Sequence, residues 1–149
     1  MSEKAEEARR LFMEGYNCTQ AVVGAFAGEL GIDFETAMRF SSSFGGGMGR
    51  LREVCGAVSG MFMVAGLKFG YSSPDAFLEK SEHYKRIQEL AEKFSDKNGS
   101  IVCRDILKLR THKDTPNPEP RTKEYYKNRP CAEIVAGAAA IIDEYIKNN

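Results

Sequence analysis

Four cysteines, Cys18, Cys55, Cys103 and Cys131, carry the most chemistry in this 149-residue sequence. A thiolate can act as a nucleophile, donate electrons by forming a disulfide, or ligate a soft metal. No CxxC pair occurs, which excludes a thioredoxin-like dithiol and a zinc ribbon, and no CxxCH occurs, which excludes covalently attached haem. Spacing alone says little; local context says more. Asn17 stands before Cys18 as an N-cap, Ser100 lies three residues before Cys103, and Pro130 directly precedes Cys131. Cys55 falls in the first turn or so of a helix expected to begin near Arg52. All four are therefore expected near helix N-termini. There the free backbone N–H groups and the helix dipole favour thiolate over thiol, by roughly 0.3–1 kcal/mol and up to about 2 when partly buried.

Each cysteine also begins an apolar stripe (18/22/25, 55/58/62, 103/106/107 and 131/134/138), so all four are expected to point inward. Burial works against ionisation, and like charges suppress one another. Convergence would therefore require disulfides, a bound metal or iron–sulfur cluster, or a mixture of protonated and ionised thiols. The plainer alternative is that cysteine is a common small core residue.

The elements that must position these residues read as helices. Ala5, Ala8, Leu11 and Phe12 form a first stripe that Gly15 stops. Asn17 with Gln20 makes a capping-box pattern for a second helix, with Cys18, Val22, Ala25, Phe26 and Leu30 inward and Gly31 at its end. Asp33 caps a third helix reaching Phe44, and the glycine-rich residues 45–49 break the pattern. A fourth helix is expected from about Arg52 to Phe69. A fifth starts at Ser73-Pro74-Asp75, with Phe77, Tyr84, Ile87, Ala91 and Phe94 inward. Ser100 caps a sixth carrying Ile101, Cys103, Ile106 and Leu107. Residues 112–123, with three prolines, should form an exposed loop. A last helix begins at Pro130, with Ile134, Val135, Ala138, Ile141, Ile142 and Tyr145 inward. The expectation is a single all-α domain over residues 1–149, a compact bundle of about six to seven helices.

Small residues recur at four-residue spacing in two of these helices, as Gly56/Gly60 and Ala132/Ala136. Such stripes let helix axes approach closely. One expectation is that the two helices cross near their N-termini and bring Cys55 and Cys131 together; ordinary tight packing is the alternative. The segment Gly45-Gly46-Gly47-Met48-Gly49-Arg50 could hold an anion with help from Arg50 or Arg52. It lacks a Walker lysine and follows a helix, so it is no P-loop, and a tight turn beside the cysteines is the simpler reading. His83 reads as a surface helix residue and His112 as part of the proline-rich loop, with no metal-ligand spacing between them. Met48, Met61 and Met63 read as core filling, while Ser59 and Tyr16 are candidate donors to a sulfur.

Basic and acidic residues balance at 21 each, so no overall field would draw nucleic acid or an anionic membrane. The charged residues 1–10 do not resemble a signal peptide, and the apolar run 134–142 is too short to span a bilayer. A cytoplasmic location follows as the expectation. In a reducing cytosol, metal binding, catalysis or redox sensing explains four cysteines better than structural disulfides do.

Taken together, Cys18 in Gly-Tyr-Asn-Cys, the run Cys55-Gly56-Ala57-Val58-Ser59-Gly60, and the later single Cys103 and Cys131 resemble the redox-active C_GCAxxG_C_C family. That family is marked by an isolated cysteine, a CGAxxG motif and two further single cysteines. The likeness spans about residues 7–146, including the glycine-rich segment before the motif and the small-residue helix after Cys131. It implies a bacterial or archaeal protein with a redox role, without a substrate or an established reaction. Three readings stay open. The first is thiol–disulfide exchange or electron transfer at Cys18, Cys55, Cys103 and Cys131. The second is an iron–sulfur cluster or other metal held by the same four, and the third is a non-catalytic helical module. The electron donor, acceptor or thiol partner is not identified, and a homodimer is compatible with the sequence.

Overall fold

The computed structural model describes residues 2–110 and 113–149; the expectation for His112 lies outside them. Eight helices and no strand occur among the described residues, so the protein is all-α. Helix α1 (Glu3–Met13) begins on a Ser2 cap and buries Ala5, Ala8, Leu11 and Phe12, as its stripe predicts. Helix α2 (Cys18–Ala27) starts in a full capping box, in which Asn17 and Gln20 satisfy each other's backbone N–H groups. Residues 21–27 of α2 are all buried, because it packs against α1 and three other helices. These are α3 (Phe34–Ser41), α4 (Gly56–Phe69) and the C-terminal α8 (Cys131–Asn148). One core runs from Phe12 and Phe26 through Val58, Met61 and Val64 to Leu90, Phe94, Val135 and Ile142. Met63 packs against a smaller cluster of Val23, Ala27, Ala37 and Met38.

The structure moves several boundaries. α4 begins at Gly56 rather than near Arg52. Arg52 is left-handed at φ 59°, and Val54 pairs with Val102 in an isolated antiparallel bridge, so the chain is extended until Cys55 caps the helix. The fifth helix, α5 (Phe77–Asn98), starts later than Ser73-Pro74-Asp75, and its inward stripe is rotated. His83, Leu90 and Phe94 are buried, whereas Phe77 and Tyr84 are 78% and 53% exposed. The first turn of α5 projects past the bundle, so apolar residues there find nothing to pack against. His83 is correspondingly no surface residue: it lies under Tyr71, with Nδ1 3.0 Å from Arg86. Burial first, and Arg86 second, push its pKa down.

The sixth helix shrinks to a single turn, α6 (Cys103–Ile106). Ser100 does not cap it but accepts the Val102 N–H at 2.9 Å, holding that residue in the bridge. A short helix that the proline-rich surroundings conceal, α7 (Lys123–Asn128), follows Thr122, which accepts the Tyr125 N–H. Residues 115–120 are exposed.

The glycine-rich segment has the least ordinary backbone. Gly46, Gly47, Met48, Gly49 and Arg50 all have φ between 62° and 71°, a full left-handed turn closed by the Gly49 N–H on the Gly45 carbonyl. Each non-glycine residue held there costs about 1–2 kcal/mol. At Gly47 a side chain is excluded by space as well: a Cβ would lie 2.6 Å from the Cys103 Cβ and 2.8 Å from the Arg52 Cα. The turn thus brings the Arg52 backbone and Cys103 close together.

Candidate functional site

Cys18, Cys103 and Cys131 are the first residues of α2, α6 and α8, and Cys55 is the N-cap of α4. The expectation of helix starts thus holds at all four. Three backbone and side-chain links gather these starts. Thr19 donates its hydroxyl to the Gly56 carbonyl at 2.8 Å, joining the beginnings of α2 and α4 inside the protein. The Cys55 N–H donates to the Ile101 carbonyl at 2.8 Å. The Cys103 N–H donates to the Glu53 carbonyl at 2.6 Å. All four cysteines then line a single cavity of about 300 Å³.

Gly56 and Gly60 permit this closeness, and the neighbours nearest to them are on α2. A Cβ on Gly56 would meet Thr19 Oγ1 at 2.8 Å and the Cys18 Cβ at 3.0 Å, and one on Gly60 would meet the Val22 Cβ at 2.9 Å. The stripe therefore seats α4 on α2, while α4 also packs against α8. Its consequence is to set Cys18 beside the start of α4, and Cys55 and Cys131 share the cavity.

All four thiols are free. Their environments differ sharply. Hydrogen bonding with Cys131, ahead of burial, is what holds Cys18 well above the usual thiol range. The same bond, reinforced by Arg129, Arg121 and Arg52, brings Cys131 down to about 7 against its own burial. Cys55 is pushed up to about 12 by burial, which outweighs the nearby Ala57 and Val58 N–H groups. Cys103 is also raised by burial, partly offset by Arg52. One cysteine of four is shifted toward thiolate, and its causes are Cys18 and three arginines rather than its helix start. Burial is the leading cause at Cys55 and Cys103, and the coupled Cys18–Cys131 pair gives its single easy ionisation to one sulfur.

Arginine shapes this electrostatics, and most of it was not evident in the sequence. Arg52, only 4% exposed, donates one guanidinium nitrogen to the Cys103 sulfur at 3.6 Å and another to Asp114 at 2.9 Å. Among the described residues the donor to a cysteine sulfur from another side-chain type is thus Arg52, not Ser59 or Tyr16. Arg50 also pairs with Asp114, at 3.2 Å, and donates to the Thr115 carbonyl. The two arginines proposed for an anion at the glycine turn therefore fasten the proline-rich loop and, through Arg52, touch a thiol. Arg129 forms a two-pronged bond to Glu119 at 3.0 and 3.1 Å. Arg121 donates to the Phe12 and Tyr16 carbonyls and lies over the Phe12 ring. Sequence patterning offered no signal for Arg121, Arg129 or Tyr125, which lie in a polar stretch around the prolines. Pro116 and Pro118 of that loop also line the cavity.

The donor set was also weighed as a metal site. No group of three or more His, Cys, Asp or Glu side chains is placed to hold a metal ion among the described residues. The sulfurs share a cavity but are engaged otherwise: Cys18 with Cys131, and Cys103 with Arg52. This arrangement does not fit a four-cysteine cage. No helix among the described residues is long and apolar enough to cross a membrane.

Comparison with known proteins adds one finding. No curated protein and no solved structure matches the chain. The model of the family described as "putative redox-active protein (C_GCAxxG_C_C)" matches residues 16–145, a span that holds all four cysteines. With the CGAxxG run at Cys55 and the other three cysteines around one cavity, this chain belongs to the C_GCAxxG_C_C family of redox-active proteins.

Proposed function

We propose that the protein carries out thiol–disulfide exchange, with Cys131 as the attacking thiolate and Cys18 as the resolving thiol. The observation that carries this reading is that Cys18 and Cys131, each the first residue of its helix, line one cavity; their interaction brings Cys131 down to about 7 while Cys18 is held well above the usual thiol range. An attacking thiol works best with a pKa near the ambient pH, since a lower value would also weaken the nucleophile.

The Cys131 sulfur attacks one sulfur of a substrate disulfide. That S–S bond breaks, and the first substrate thiolate leaves with its electron pair. Cys18 then gives up its proton to the departing thiolate and attacks the Cys131 sulfur, releasing the second substrate thiolate. The net change is one substrate disulfide reduced to a thiol and a thiolate, which takes its proton from solvent, and one Cys18–Cys131 disulfide formed. A reducing cytoplasm would suit the free-thiol starting state.

Cysteine-resolved alkylation with iodoacetamide, followed by mass spectrometry, tests this. Cys131 should react first, with a midpoint near pH 7, and one equivalent of a disulfide oxidant should join Cys18 to Cys131. A bond between any other pair, or four inert thiols, would overturn the assignment.

A further inference from the structure

The cavity that holds the four sulfurs is unbalanced in charge. Arg50, Arg52, Arg121 and Arg129 line it, against the single carboxylate of Glu119. Including Asp114, which pairs with Arg50 and Arg52, and the Cys131 thiolate, the positive groups still exceed the negative ones by one. Arg121 makes no ion pair among the described residues; its hydrogen bonds go to backbone carbonyls and the Tyr126 hydroxyl. Arg52 lines the cavity almost fully buried.

Size limits the occupant as well. A volume of about 300 Å³ lies at the low end for small-molecule sites. Prolines 116 and 118 form part of its wall. A folded protein's disulfide would have to displace that loop, whereas a molecule of several heavy atoms would not.

We propose that the disulfide reduced here is a small anionic one, a low-molecular-weight compound bearing carboxylates, whose negative charge is met by Arg52 and Arg121 while its sulfur faces Cys131. This rests on the thiol-exchange reading and uses its steps unchanged: the substrate S–S bond is reduced as the Cys18–Cys131 bond forms.

The test is a charge series in single turnover. Fully reduced protein is mixed with dithiodiglycolate (a dianion), bis(2-hydroxyethyl) disulfide (neutral) or cystamine (a dication). Each rate is divided by that of the same disulfide with a free small thiol. The dianion should lead the neutral compound by about tenfold or more, with cystamine slowest, and the gap should narrow as salt is added. Arg52→Gln and, separately, Arg121→Gln should each shrink the dianion-to-neutral ratio, a readout independent of any overall loss of rate or fold. Equal normalised rates across the series in the unaltered protein would overturn the anionic substrate while leaving thiol exchange intact. If none of the three oxidises Cys131, the thiol-exchange reading itself fails, and this proposal with it.

Discussion

Cys18 and Cys131 occupy equivalent positions, each the first residue of a long helix, yet one is pushed up and the other down. Their interaction with each other comes first in both shifts, burial adds to the rise at Cys18, and the arginines add to the fall at Cys131. Arg129, Arg121 and Arg52 all favour charge on Cys131, and once it is ionised the Cys18 thiol becomes its donor. Removing that donor should therefore be felt at the acceptor. In Cys18→Ala, the alkylation midpoint of Cys131 should rise from near 7 toward the free-thiol value of about 8.5. Its reactivity at pH 7 should fall several-fold, and an unchanged midpoint would show that the arginines alone set it. The sign follows from the charge type: the thiolate is the reactive form, so reactivity is present above the midpoint and lost as pH falls through it. At Cys103 the Arg52 contact opposes burial without overcoming it, so that thiol should react later than Cys131 in the same experiment.

At the scale of helices, the site is a meeting of N-termini, and the distances between them are set by small residues. Gly56 lies against Thr19 and the Cys18 Cβ, with the Phe44 carbonyl also only 3.2 Å from where its Cβ would be. Gly56→Ala should push α4 from α2 and destabilise the fold by about 1–3 kcal/mol. It should also loosen the Cys18 position and so slow formation of the Cys18–Cys131 disulfide. Gly137, inside α8, offers a control: no neighbour lies within 4 Å of its added Cβ. Gly137→Ala should stabilise by about 0.4–1 kcal/mol through helix propensity and the unfolded chain. Urea unfolding under reducing conditions measures both. Opposite signs are expected from the same substitution in two helices of one core; equal signs would mean that the close approach at Gly56 is relaxed at no cost.

For the molecule as a whole, the proline-rich loop is the part that closes the cavity, and charge rather than apolar burial holds it. Asp114 is bonded by Arg50 and Arg52, and its N–H donates to the Arg50 carbonyl. Glu119 is bonded by Arg129 at the other side. The Arg52 contact, first, keeps the Asp114 carboxyl below the usual carboxylate range. Its negative form is therefore retained until strongly acidic pH, and the tether is lost only as pH falls through that lowered value. Asp114→Asn should remove the tether at neutral pH. Limited proteolysis across residues 113–122 and alkylation of Cys103 should both accelerate several-fold, with the core unfolding transition little changed. If neither rate moves, the loop is held by something other than these arginines.

How much of this was legible beforehand differs by kind of interaction. Local physics was readable: caps at Asn17 and Asp33 depend on a few adjacent residues, and the stripes of α1, α2 and α8 follow helical periodicity. The same reasoning placed all four cysteines at helix starts. It misjudged α5 and His83, because a stripe states which face is apolar and not which part of the helix has a neighbour. It left open what the Gly56/Gly60 stripe packs against, α8 or an ordinary neighbour, since a small residue declares close approach without naming the partner. The sequence by itself thus determined the helices, the identity of the reactive atoms and their position on each helix. Only the tertiary structure decided that Cys18 faces Cys131, that Arg52 reaches Cys103, and that Arg121 and Arg129 come round from beyond the prolines to the same cavity. A thiol's charge state is set by groups a few ångströms away in space, and those groups are distant in the chain.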